Sequence, residues 1–199
     1  MRILPVVILY YLLSLPAFSQ EFPSEIWHNG KMVLVSEDTL VGNIKYDLNR
    51  DIVQVKVKDK TFTYSAQKIF FFEIFDIISE SYREFYVLPY GLITSYKAPV
   101  IFEVLVRGNI TLLCREYIGI KNVQNPYSYG SYSKKVLEYY FYFLDREGDI
   151  TKYTLKKRDL YTVIAKKQNQ VLEFIKANRL SHENRNDLVR IINFYNTLL

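Results

Sequence analysis

The stretch 102-FEVLVRGNITLLCRE-116 holds two runs of β-forming residues on either side of Gly108-Asn109. Val, Ile, Phe and Thr favour extended backbone. A two-residue Gly-X loop suits a type II′ hairpin turn, whose first central residue takes positive φ. An antiparallel hairpin is therefore expected here, and it points the whole chain toward an antiparallel β class. Asn109-Ile110-Thr111 is also a formal glycosylation sequon, but the turn explains the asparagine without it. Pairing around the turn is expected to set Glu103 near residues 117–118, with Glu116 diagonal to it. Cys114 is the chain's one cysteine, so no internal disulfide can form. In a strand it is expected to act as a small buried hydrophobe, with an intermolecular disulfide as the sharper alternative.

Period-two patterns surround this hairpin. In IVQVKVK, Val53, Val55 and Val57 face one way, while Gln54, Lys56 and Lys58 face the other, as in a half-buried strand. KTFTYS alternates likewise, and LVGNIKYD precedes both. Turns at Asn49-Arg50 and Asp59-Lys60 make the three a meander. A further hairpin turns around Glu147-Gly148. On its first arm Leu137, Tyr139, Phe141 and Phe143 share one face. Glu138, Tyr140 and Tyr142 share the other, where hydroxyls reach water or partners.

The period changes after Leu155. Leu160, Val163, Ile164, Val171, Leu172 and Ile175 recur at helical spacing, with a break near Gln168. Leu188, Ile191, Ile192, Tyr195 and Leu198 form a second stripe, with Asn184 or Asn186 as its cap. Such amphipathic helices are expected to fold back onto the sheet. The chain thus reads as α+β: an antiparallel β-sandwich or open barrel of about eight to ten strands with C-terminal helices packed on it. An outer-membrane barrel is the rival, but the helical end and charges on both strand faces count against it.

The first residues, MRILPVVILYYLLSLPAFSQ, read as a secretory signal peptide. Arg2 is the positive start, residues 3–15 the apolar stretch, and Ala17 and Ser19 the small residues before cleavage at Gln20. The apolar run is shorter than the roughly 20 residues a membrane helix needs. No cysteine lies near the cleavage site to carry a lipid. The expected division is residues 1–19 signal peptide, 20–155 β-rich domain, and 156–199 helical segment. The chain carries a formal charge of +5, concentrated beyond Thr151, behind a mildly acidic body. Lys156, Lys157, Arg158, Lys166 and Lys167 are the candidate basic face, suited to an anionic lipid surface or an acidic partner. Nucleic acid fits poorly with export.

Sites of chemistry are sparse. The two histidines, His28 and His182, sit beside no nucleophile motif, and no G-x-S-x-G or H-E-x-x-H occurs. Asp47-Asn49-Asp51 and Asp145-Glu147-Asp149 imitate the start of a calcium loop. Both lack the glycine and glutamate such a loop needs, and turn chemistry explains them. Glu103 and Glu116 are the one carboxylate pair that invites a glycosidase reading, although Arg107 and Arg115 suggest structural ion pairs instead. No catalytic residue, metal or cofactor is expected. The segment 125-NPYSYGSYS-133 is the candidate recognition element. It lies in an expected loop from about Lys121 to Lys135, longer than hairpin loops usually run. Tyr127, Tyr129 and Tyr132 offer rigid amphipathic area, with Ser, Gly and Asn as adaptable partners.

The segments WHNGKMVL, LVGNIKYD, VQVKV, TYSAQKIFFFEIFD, REFYVLPY, FEVLVRGNITLLCRE, YYFYF and FIKANRL…DLVRIINFYN together resemble an exported envelope protein family of the Bacteroidota type that carries no assigned activity. The resemblance implies envelope export and no assigned activity, and it carries over no site residue. The expected function is a non-enzymatic binding or scaffold module of the cell envelope, periplasmic or secreted, with an envelope protein or glycan as partner. The alternatives are a carbohydrate-active hydrolase and a membrane-surface binder acting through the basic helices.

Overall fold

The structure is a computed structural model and describes residues 21–91, 96–124 and 130–199. The expected signal peptide and its cleavage site, and Tyr127 and Tyr129, lie outside the described residues. A 3-10 turn at Pro23–Glu25 precedes ten strands: β1 (His28–Leu34), β2 (Thr39–Asp47), β3 (Ile52–Val57), β4 (Lys60–Ser65), β5 (Ile69–Asp76), β6 (Ser81–Tyr90), β7 (Ala98–Val106), β8 (Thr111–Gln124), β9 (Ser131–Leu144) and β10 (Ile150–Tyr153). Three helices follow: α1 (Lys157–Val163), α2 (Gln168–Ala177) and α3 (Arg185–Thr197). The expected break near Gln168 is a 3-10 turn at Ala165–Lys167. Among the described residues no helix is long and apolar enough to cross a membrane.

All ten strands form one antiparallel sheet in the order β10-β9-β8-β7-β6-β5-β1-β2-β3-β4. The architecture is therefore the open, single-sheet alternative and not a two-sheet sandwich. The sheet curls strongly. Tyr46 on β2 reaches Glu116 on β8, although four strands separate them in the sheet order. Inside the curl, Met32, Ile44, Val53, Val55, Phe72, Ile74, Phe85 and Ile101 form a core from alternate strand positions. Over β7–β10 the same face carries Leu112, Cys114, Phe141 and Phe143, covered by Leu160, Ile164, Val171, Leu188, Ile191 and Ile192 from the helices. The helices thus fold back as expected, and Asn184 caps α3 by accepting from the N–H groups of Asn186 and Asp187. Tyr142, on the face expected to meet water, is instead buried beside Phe102 and Tyr90. Burial pushes its hydroxyl pKa up to about 12.

The β7–β8 turn departs from expectation in a useful way. Gly108 does not adopt positive φ; among the described glycines only Gly148 does. Glycine is required at 108 for space. A Cβ there would lie 2.4 Å from Asn196 Nδ2. Asn196, in the last turn of α3, donates to Ile110 O (2.8 Å) and accepts from Ile110 N–H (3.0 Å). Its carboxamide pairs with the turn as a neighbouring peptide group would, so the helix end and the hairpin are clamped together. Register around the turn places Glu103 opposite Cys114, not near residues 117–118. Pairs step outward one for one from a short turn, with one slip beside Leu105 that brings Val106 opposite Leu112. Glu116 lies two residues beyond Cys114 on the same face, diagonal to Glu103 as expected.

Gly108→Ala and Asn196→Ala are each expected to cost about 1–3 kcal/mol, the first by displacing the carboxamide and the second by orphaning the Ile110 backbone. Because they act on one contact, the double variant should lose clearly less than the sum. Urea unfolding of the four proteins checks the cycle.

Candidate functional site

The chemistry-bearing residues gather inside the curl. Arg83, on β6 two residues from Phe85, shares its inward face and is 7% exposed. All five of its N–H donors are used. Nε and Nη2 donate to Glu103 (2.9 and 2.8 Å) in a forked pair. Nη2 also donates to Glu116 (2.7 Å), and Nη1 donates to Asp76 (3.1 Å) and to the Tyr46 hydroxyl (2.9 Å). Tyr46 in turn donates to Glu116 Oε1 (2.6 Å). Arg185, the first residue of α3, donates to Glu103 Oε1 (2.9 Å). Asp76 ends β5, and its Oδ1 accepts from Ile78 N–H (2.9 Å) in a local turn.

These contacts decide the charge states. Burial opposes the Arg83 cation, but Glu103, Tyr46 and Glu116 outweigh it and hold its pKa well above the ordinary value. Burial raises the Tyr46 pKa well above its ordinary value against the pull of Arg83, so Tyr46 remains a neutral donor. For Asp76 burial pushes upward, yet the Ile78 N–H and Arg83 prevail and its pKa lies below the ordinary 3.8. Burial pushes the Cys114 thiol far up, leaving an inert hydrophobe, as the sequence suggests.

Glu103 and Glu116 are thus brought together, as a glycosidase would need, but by a guanidinium that bonds both through one nitrogen. The position a scissile bond would have to take between them is filled by Arg83. Arg107 pairs with Glu84 and Tyr86, and Arg115 with Asp51, Ile101 O and Leu48 O. The turn acids behave as turn residues: Asp47 accepts from the N–H groups of Asn49 and Arg50, and Asp145 from that of Asp149. His28 is fully buried, and His182 Nδ1 pairs with the Tyr153 hydroxyl (2.8 Å). Among the described residues no group of three potential ligands is placed to hold a metal ion.

Beyond the cluster, β8 and β9 run on as a two-stranded ribbon. Pairing of β7 to β8 ends at Cys114, and pairing of β10 to β9 ends at Phe141. From Arg115 to Gln124 and from Ser131 to Tyr140 the strands pair only with each other among the described residues. The loop expected at about 121–135 is therefore largely strand, with register kept out to Gln124↔Ser131. Its polar composition suggested a loop because the ribbon tip has no buried face to impose alternation. Tyr132 lies on β9 opposite Val123 and is 55% exposed; Ile120 is 75% exposed. Lys121 faces Lys134, and Glu138 relieves the repulsion at 2.7 Å from Lys121. Lys156, Lys157, Arg158 and Lys166 are exposed and Lys167 half-buried, around α1.

The sequence reading missed Arg83, Tyr46 and Arg185 as partners of the two glutamates. The available signal was a charged residue in the buried register of REFYV, two residues from Phe85. Compared with known proteins, the chain matches no family model, no curated protein and no solved structure.

Asp76 supplies a pH test. Its folded pKa is depressed, so its stabilisation is present above the unfolded value near 3.8 and is lost as pH falls through the folded value. Asp76→Asn should cost about 1–3 kcal/mol at pH 7. The difference from wild type should shrink progressively as pH falls below 3.8, measured by urea unfolding at pH 7 and at a series of lower pH values.

Proposed function

We propose that this chain is a non-enzymatic binding or scaffold module of a bacterial cell envelope, exported behind its apolar leader and acting through the β8–β9 ribbon. The observation that carries the reading is the ribbon: two 14-residue strands that outrun the sheet, with both outer edges unpaired among the described residues near exposed Ile120 and Tyr132. Free edges offer main-chain hydrogen bonds to an extended partner, and alternating side chains give specificity. Here Lys121, Lys134 and Lys135 discourage self-pairing while leaving the backbone open. A protein partner is favoured over a glycan, because the Tyr140 ring is already engaged by Tyr117 (4.3 Å) and by the Lys152 ammonium (4.0 Å). The non-enzymatic part rests on the cluster, whose donors and carboxylates are engaged with one another. The envelope part rests on the leader and on the family resemblance.

Photo-crosslinking residues placed at Ile120 and Tyr132 in the cell of origin provide the test, with exposed Glu173 on α2 as control. Discrete adducts from the two ribbon positions and none from position 173 are expected. A silent ribbon, or equal labelling at all three positions, would contradict the proposal.

A further inference from the structure

The N-terminal turn and the buried charges meet at one place. Phe22 is 2% exposed and Pro23 is buried, although both precede β1 and belong to no sheet. Phe22 is extended, with φ −109° and ψ 149°. A cleft lies on either side of this segment. One, of about 270 Å³, is bounded by Phe22 and Pro23 together with Asp76, Arg83, Tyr139 and Arg185. The other, of about 310 Å³, is bounded by Ser24 and Glu25 together with Tyr46, Glu116 and Ile118. The segment thus lies across the charge cluster as a strap between β2 and the ribbon.

Among the described residues two polar contacts fasten it to the body. His28 Nε2 donates to Pro23 O at 2.7 Å, while the other ring nitrogen is buried without a partner. Glu25 stands 3.8 Å from Lys135 on the ribbon. The remainder of the hold is the burial of Phe22 and Pro23. An aromatic anchor in a closed seat, one main-chain hydrogen bond and a rim ion pair are the anatomy of a docked peptide. Trp27, 39% exposed, and the half-buried Ile26 link the strap to β1. The pairing of β1 begins at His28, so among the described residues no ladder pair includes a residue of the strap.

We propose that the groove between β2 and the ribbon is a binding site for a Phe-Pro-x-Glu peptide that enters extended at Phe and closes in a 3-10 turn over Pro-x-Glu. It is filled in cis by residues 22–25 and open to the same segment of a second copy. The occupant is argued from the chain itself: the segment seated there carries the aromatic anchor, the carbonyl that meets His28 and the acid that meets Lys135. A second copy brings all three. This site uses the ribbon as one wall, through Ile118 and Lys135, but does not depend on the ribbon edges having a partner.

The test uses the full exported chain and a dye-labelled peptide of residues 21–26, Glu-Phe-Pro-Ser-Glu-Ile. A Phe22→Ala, Pro23→Ala chain, loosened at the strap, should bind the peptide saturably. It should do so at least about tenfold more tightly than wild type, whose own segment competes at millimolar effective concentration. A peptide with alanine at both anchor positions should bind neither chain. Anisotropy titration reads all of these. A folded variant that ignores the peptide, or equal binding to both chains, overturns the proposal. Should the variant fail to fold, wild type is titrated to several millimolar unlabelled peptide. Exchange must then shift the emission of Trp27, the chain's one tryptophan, and unchanged emission overturns the proposal.

Discussion

The guanidinium of Arg83 sits where the curled sheet closes on itself, and much of the architecture converges on it. Through it β6 is joined to β5 by Asp76, to β7 by Glu103, to β8 by Glu116 and to β2 by Tyr46. Arg185 extends the network from Glu103 to the start of α3. Burying such charges is costly, and the cost is offset only where every donor and acceptor is engaged. Arg83 meets that condition with five donors and four partners. The sheet is therefore curled to a degree that this geometry specifies, since a flatter sheet would carry Tyr46 and Glu116 away from the cation.

The same closure explains how the outer parts are presented. Because β8 is anchored at Cys114 and Glu116, its remaining length leaves the sheet as a ribbon paired with β9. Because Tyr46 and Glu116 are drawn together, β2 and the ribbon form two walls, and the N-terminal strap lies between them. The helices are fixed at two points: Arg185 at the start of α3, and Asn196 at its end on the β7–β8 turn. The buried charges hold the scaffold together.

Much of this was legible in the sequence, wherever a local rule acts alone. Val53-Val55-Val57 alternated because one face of β3 is buried. Asn184 capped α3 because it precedes the first apolar turn. The break near Gln168 followed from a lapse in the helical stripe. Local rules failed where distant segments meet. Gly108-Asn109 between two β-rich runs reads as a type II′ turn, whereas that glycine answers to Asn196, far along the chain. The two glutamates invited a catalytic reading because nothing local reveals that Arg83 comes between them. Tyr46 and Arg185 read as an ordinary strand residue and a helix-start residue. The outer ribbon on either side of residues 125–129 reads as loop because strands without a buried face lack the alternation that identifies them.

The central claim is that the Arg83 network is a structural closure, and the unfolding free energy of Arg83→Met tests it most directly. Methionine keeps the apolar stem and removes every donor, leaving Glu103, Glu116 and Asp76 buried against one another. The account predicts a loss of about 3–5 kcal/mol at neutral pH, the cost of stripping one partner from a buried ion pair. A loss below about 1 kcal/mol would place Arg83 among exposed, weakly coupled charges and contradict the account.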